Sequence, residues 1–370
     1  MRDIIVFGED FGGLPSSTQH LITGLCKNYR VLWVNSIGLR QPRLCKKDLA
    51  RVFRKLFGSK GTVKFSDDAF SSNIITVNLR TIPAPQSVVV RWFAKTLMVW
   101  QLKLLFRHHK ISNPILWTSL PTAADLCGSL GERSVVYYCG DDFSSLAGVD
   151  HKVVEQHERK LVEKSDVIFA ASDKLLQKFP SHKTYLMPHG VDYDLFATPT
   201  YRATDLPNNA RPTAGFYGSL SEWLDYDLLK SLCLAKPEWN FVFVGPLELS
   251  SFPLDDLPNV YRLGPKPHST LPSYIQHWDI SLLPFINNEQ IKNCSPLKLM
   301  EYLSSGTPVL ASRFNAVEPL SHVINIYDNA DEAITVFETL SNKKEQQQAV
   351  AKQHRWSSRV NLLRGYLEAL

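Results

Sequence analysis

Short runs of β-branched and aromatic residues recur along the chain, separated by longer stretches in which apolar positions return every three or four residues. Runs of the first kind fit strands buried on both faces and stretches of the second fit amphipathic helices. Their alternation predicts parallel βαβ units. Seven runs fill the first half: DIIVFG, RVLWVN, IITVNL, PILWTS, SVVYYC, DVIFAAS and TYLMPHG. Six more follow: TAGFYGS, NFVFVG, VYRLG, DISLLPF, PVLAS and VINIY. Between the two series lies YDLFATPTYRATDLPNNARPT, rich in Pro, Asn and Thr, which reads as an interdomain linker over about 195–212. The expected fold class is α/β, with two Rossmann-like, doubly wound parallel-sheet domains facing a cleft. They would span about 1–200 and 212–354, with a helix over 355–370 packing back towards the first. In such sheets ligands bind outside the carboxyl ends of the strands. The loops after these runs are therefore where chemistry is expected.

Composition narrows this little. The chain has 370 residues, 44% hydrophobic and 21% charged, enough for two cores and unlike a fibre or a disordered segment. Cysteines 26, 45, 127, 139, 233 and 294 form no CxxC pair, and MRDIIVFGED turns acidic before any apolar core develops. No signal peptide and a reducing cytoplasm are expected. No apolar run reaches the ~18 residues of a transmembrane helix.

The net charge of +5 is unevenly spread. Residues 40–60 hold Arg40, Arg43, Lys46, Lys47, Arg51, Arg54, Lys55 and Lys60 against the one acid Asp48. Leu49, Val52, Phe53 and Leu56 recur there at helical spacing, which predicts a basic amphipathic helix. Residues 91–110 contain no acid, and Lys95, Lys103, Arg107 and Lys110 share a face of about 120° beside an apolar remainder that includes Trp92 and Trp100. Such helices settle in the headgroup region of anionic bilayers. The alternative for the second segment is a core-facing helix with a solvated stripe. No nucleic-acid-binding fold accompanies either, so nucleic acid is not an expected partner.

Candidate chemistry concentrates in a few loops. Ser295-Pro296 supplies an N-cap and a proline for a helix that carries Lys298 and Glu301 and stops at Gly306. The free N–H groups of its start and Lys298 suit a diphosphate, and the Glu301 carboxylate suits two ribose hydroxyls. The same spacing also makes an ordinary i,i+3 salt bridge. In YGSLSEW, Gly218 allows close backbone approach while Ser219, Ser221 and Glu222 add polar groups; a plain strand-to-helix turn is the alternative. FGEDFGGLPSSTQHL places Gly12-Gly13 before a helix capped by Ser16, Ser17 or Thr18, with Gly13 and His20 as candidate cleft residues. It lacks GxGxxG, so dinucleotide binding is not indicated. In YYCGDDFSS, Asp142 or Asp141 can act as a general base, or the pair can form a turn and cap. MPHGVD adds His189.

The segment SPLKLMEYLSSGTPVLAS resembles the donor site of GT-B glycosyltransferases of bacterial polysaccharide synthesis, family 4-like and also similar to exopolysaccharide glucuronosyltransferases. GFYGSLSEWLDYDLL, NFVFVGP, NVYRLGPKPHSTLPSYIQHWDISLLPF, VVYYCGDDF and LMPHGVDYDLF extend the resemblance over both domains. It implies that Glu301 grips a nucleotide ribose, that Lys298 approaches the diphosphate and that an aspartate of the GDD loop, Asp142 first and Asp141 second, is the base. One departure is Asn293, eight positions before Glu301, where many retaining members carry a second glutamate; both stereochemical outcomes stay open. The expected function is transfer of a sugar from a nucleotide donor to a lipid-linked or saccharide acceptor by a cytoplasmic protein at the inner face of the membrane. No cofactor or metal is expected, since the pairs Asp141-Asp142 and Asp255-Asp256 lack DxD spacing. A sugar-nucleotide epimerase of the same architecture and a noncatalytic nucleotide-binding partner are the alternatives.

Overall fold

The computed structural model describes residues 2–13, 16–35, 73–81, 88–143, 151–288, 291, 297–340 and 343–370. Arg51, Arg54, Lys55, Asn293 and Ser295 lie outside the described residues. The chain divides into two compact units, 1–189 with 359–370, and 190–358.

In the first unit seven parallel strands form one sheet: β1 (Arg2–Phe7), β2 (Tyr29–Val34), β3 (Ile74–Val77), β4 (Ile115–Thr118), β5 (Ser134–Cys139), β6 (Val167–Ala170) and β7 (Thr184–Leu186). Their order is β3-β2-β1-β4-β5-β6-β7. Each falls in one of the seven sequence runs. β4, β5 and β6 are buried along their whole length, as two covered faces require. The Trp117 ring stacks with those of Tyr138 and Phe169 at centroid distances of 5.8 and 6.1 Å. Tyr366 of the helix Trp356–Ala369 packs 4.6 Å from Tyr185.

The second unit has a sheet of six, β8 (Thr213–Tyr217), β9 (Asn240–Val244), β10 (Val260–Gly264), β11 (Ile280–Leu283), β12 (Val309–Ser312) and β13 (Asn325–Tyr327). It is ordered β10-β9-β8-β11-β12-β13. Strand order reverses between β1 and β4 in the first sheet and between β8 and β11 in the second. These are the switch points at which doubly wound sheets take ligands.

The stretch expected as a linker contains a short helix, Tyr193–Ala197, capped by the Asp192 side chain. Leu206 beyond it is buried in the core of the second unit. Most residues around it, such as Tyr201, are exposed, so the stretch runs over the surface and is pinned at a few points.

Among the described residues no helix is long and apolar enough to cross a membrane. The helix Val88–His109 buries Ala94, Met98, Leu102 and Phe106 at four-residue intervals. Val89, Trp92, Phe93, Leu97, Trp100 and Leu104 of the same helix are exposed, Trp92 at 59% and Trp100 at 60%. A narrow stripe of this helix thus enters the core, and an aromatic stripe stays exposed.

Candidate active site

In the second unit the candidate donor residues gather at the carboxyl end of β8. The chain leaves β8 through Gly218 at φ +134° and leaves β9 through Gly245 at φ +151°, conformations that favour glycine. The two backbones abut so closely that a Cβ on Gly245 would lie 1.9 Å from the Gly218 carbonyl oxygen. Backbone bonds from Leu220 to Pro246 (2.9 Å) and from Glu248 to Leu220 (3.1 Å) pin the loops together. Space above Gly218 is taken by Lys298: a Cβ there would meet its Cε at 2.9 Å. The Lys298 ammonium sits 5.5 Å from the Phe216 ring centre and 5.3 Å from that of Phe285, so it is steered by two aromatic faces. Ser219 Oγ is buried with no hydrogen-bond partner among the described residues. Ser221 is buried, and Glu222 is exposed.

Lys298 and Glu301 belong to the helix Leu297–Ser305. Tyr302 of this helix is fully buried, and its hydroxyl accepts the Tyr217 backbone N–H at 3.2 Å, fixing the helix to the end of β8. The salt-bridge alternative for Lys298 and Glu301 gives way to a different pairing: Glu301 Oε1 lies 2.7 Å from His268 Nε2. Burial, then the charge of Asp192, pushes the Glu301 carboxyl up to about 8. Burial lowers His268 below the usual imidazole range, opposed by Asp192. His268 and Asp192 were not singled out as donor-site residues in the sequence. His268 is 33 positions from Glu301, and no local pattern reports that meeting.

In the first unit the GDD loop follows β5. Asp142 is committed to lysines: Lys178 Nζ lies 3.2 Å and Lys174 Nζ 4.0 Å from its carboxylate. Lys178 also bonds Glu158 at 2.8 Å, and Glu158 accepts from the Tyr137 hydroxyl at 2.8 Å. Burial works against the charged form of Lys178, but its bond to Glu158 and the charges of Glu158 and Asp142 outweigh it and raise the group. A base at Asp142 would have to leave these ion pairs. Asp141 is exposed and has no ion pair among the described residues.

Beside Asp141 stands His189, whose Nδ1 is 2.5 Å from Ser17 Oγ and 3.3 Å from the Tyr138 hydroxyl. Burial lowers His189 below the usual imidazole range, opposed by the charge of Asp141 and a bond to the Gly140 backbone. The helix Ser17–Leu25 is capped by Ser16, which accepts from Gln19 N at 3.1 Å. That leaves Ser17 for His189. Gly13 is exposed in the preceding turn, and His20 is half-buried in the helix, its N–H bonded to Ser16 O. Ser17 and Tyr138 join the set only through the fold.

Two doubly wound parallel sheets, the second in the order 3-2-1-4-5-6, with a lysine and a carboxylate at the second switch point, define the GT-B class. Comparison with solved structures shows the same fold over the whole chain. Anabaena HepE in complex with UDP matches with a TM-score of 0.67 at 13% identity, covering 99% of this chain and 100% of that one. Sucrose-phosphate synthase of Thermosynechococcus elongatus matches with a TM-score of 0.69 at 14% identity, covering 100% of both. Residues 226–364 match the family model described as glycosyl transferase-like. A candidate teichuronic acid biosynthesis glycosyltransferase, TuaH of Bacillus subtilis (strain 168), is 28% identical over 218 residues, 53% of this chain and 55% of the relative. The match thus spans about half the length of that relative. The resemblance read from the sequence is borne out, and neither the family model nor the relative favours the epimerase or the noncatalytic alternative.

Proposed function

We propose that the chain transfers a sugar from a nucleoside-diphosphate donor to a lipid-linked or saccharide acceptor in cell-surface polysaccharide synthesis. The convergence of Gly218, Lys298, the unpartnered Ser219 hydroxyl and Glu301 at the end of β8 carries this reading. Lys298, lying over Gly218, compensates the charge of the diphosphate, and Glu301 accepts the ribose hydroxyls. HepE structures hold UDP and UDP-glucose, which supports UDP as the carrier. The relative TuaH supports a polysaccharide acceptor. Asp141 takes the proton from the acceptor hydroxyl, with His189, Ser17 and Tyr138 lining the same strand ends. No step in this scheme calls on a metal or cofactor. Calorimetric titration with UDP tests the donor half: saturable binding is expected, and no heat from any nucleoside diphosphate would refute it.

The acceptor reading includes a membrane surface. Trp92, Phe93, Leu97, Trp100 and Leu104 are exposed on one helix together with Lys103 and Arg107, and Lys95 is half-buried among them. Aromatic residues flanked by cations suit the boundary of an anionic bilayer, each cation contributing ~1 kcal/mol. The triple change Lys95→Glu, Lys103→Glu and Arg107→Glu is expected to weaken flotation with phosphatidylglycerol vesicles by ~100-fold or more. UDP binding should stay unchanged. Full vesicle binding by the variant would mean that this helix does not meet lipid.

A further inference from the structure

Glu301 and His268 meet from different elements, the carboxylate from the helix Leu297–Ser305 and the imidazole from the turn His268–Thr270 after β10. Their contact of 2.7 Å is the one side-chain bond of Glu301 among the described residues. Asp192 faces both groups, Lys298 lies one turn back on the same helix, and Tyr302 adjoins Glu301. Lys344, from the packed helix Lys344–Gln353, lies against Gly306, and the Phe196 ring meets the imidazole edge-on at a centroid distance of 5.3 Å. A carboxyl and an imidazole at this distance share one proton, placed on oxygen or nitrogen according to what else bonds the carboxylate. Hydroxyl donors arriving at the carboxylate favour its ionised form.

We propose that His268 is a positioning residue that stores the Glu301 proton while the ribose is bound. The Glu301 O–H bond breaks, an N–H bond forms at His268 Nε2, and the imidazolium stays beside a carboxylate that now accepts the ribose hydrogens. This rests on the assignment of Glu301 to the ribose. Burial, which raises Glu301 and lowers His268, agrees with a proton resting on the carboxyl before the donor arrives. No proton is exchanged with solvent, so donor affinity stays level with pH below about 8. Without the imidazole, binding must expel the proton. Affinity then rises by about tenfold per pH unit, because one proton is released for each donor bound.

The test is calorimetry of the full chain with UDP-glucose, whose diphosphate does not titrate in this range, between about pH 6 and 7.5. Wild type, His268→Gln and His268→Phe are compared in buffers of different ionisation enthalpy. Gln keeps an N–H for the carboxylate but cannot store a proton, which guards against a Phe variant that fails to fold. Wild type is expected to release almost no proton and to bind evenly across the range. The variants are expected to release close to one proton and to gain affinity by about tenfold per unit. A purely structural histidine would weaken the variants equally at every pH with the proton count of wild type, and that overturns the proposal. So does proton release by wild type, or loss of all binding by His268→Gln. UDP-glucose and UDP both failing to bind wild type would instead refute the donor assignment beneath it.

Discussion

Replacing Glu301 by alanine is expected to weaken UDP binding by ~100-fold or more, since two hydrogen bonds from ribose to a charged acceptor are each worth ~1.5–3 kcal/mol. The fold should survive the change. Among the described residues Glu301 has no lysine or arginine partner that the substitution would leave unpaired, and its one side-chain partner, His268, is 29% exposed in its side chain. What anchors the helix is the buried Tyr302, bonded to the backbone at the end of β8. A Glu301→Ala chain that melts like wild type yet binds UDP within about threefold of it would remove the ribose from this site.

The second large effect concerns turnover. Asp141→Asn keeps size and much of the hydrogen bonding but cannot take a proton, so turnover is expected to fall by ~10²- to 10⁴-fold. UDP affinity should hardly change, because the donor residues belong to the other unit. Asp142→Asn is expected to cost less in chemistry and more in local order, since Lys178 and Lys174 lose a partner. A reversed result, with Asp142→Asn inactive and Asp141→Asn nearly unaffected, would show that the lysine pairs open during the reaction. Two active variants would mean that the loop is only a turn.

The strands of the described residues were legible in the sequence, the central ones most plainly, because a strand buried on both faces must be an apolar, β-branched run whatever its neighbours are. The segment about 195–212 was harder. Pro, Asn and Thr report missing regular structure, whereas the burial of Leu206 depends on a core built from distant residues. The site divides in the same way. Gly218, Lys298 and Glu301 sit in local patterns of strand end and helix start, and the structure lays Lys298 against Gly218 with Glu301 one turn further along the same helix. Contacts that set their chemistry are long-range: His268 on Glu301, Lys178 on Asp142, Ser17 on His189. The helix Val88–His109 shows a further limit. Its apolar arc was wide enough for two readings, and only the neighbouring core selects Ala94, Met98, Leu102 and Phe106 as the inward stripe.

The central claim is transfer of a sugar from a nucleotide to an acceptor, and one measurement meets it directly. The full chain is incubated with a panel of UDP-sugars, with and without a lipid-linked saccharide fraction, and nucleoside diphosphate release is followed together with the mass of the lipid product. Release is expected only when both a donor and the lipid fraction are present, matched by one added sugar on the product and abolished by Glu301→Ala. Conversion of the UDP-sugar to an isomer without release, or binding with no reaction under any pairing, would contradict it.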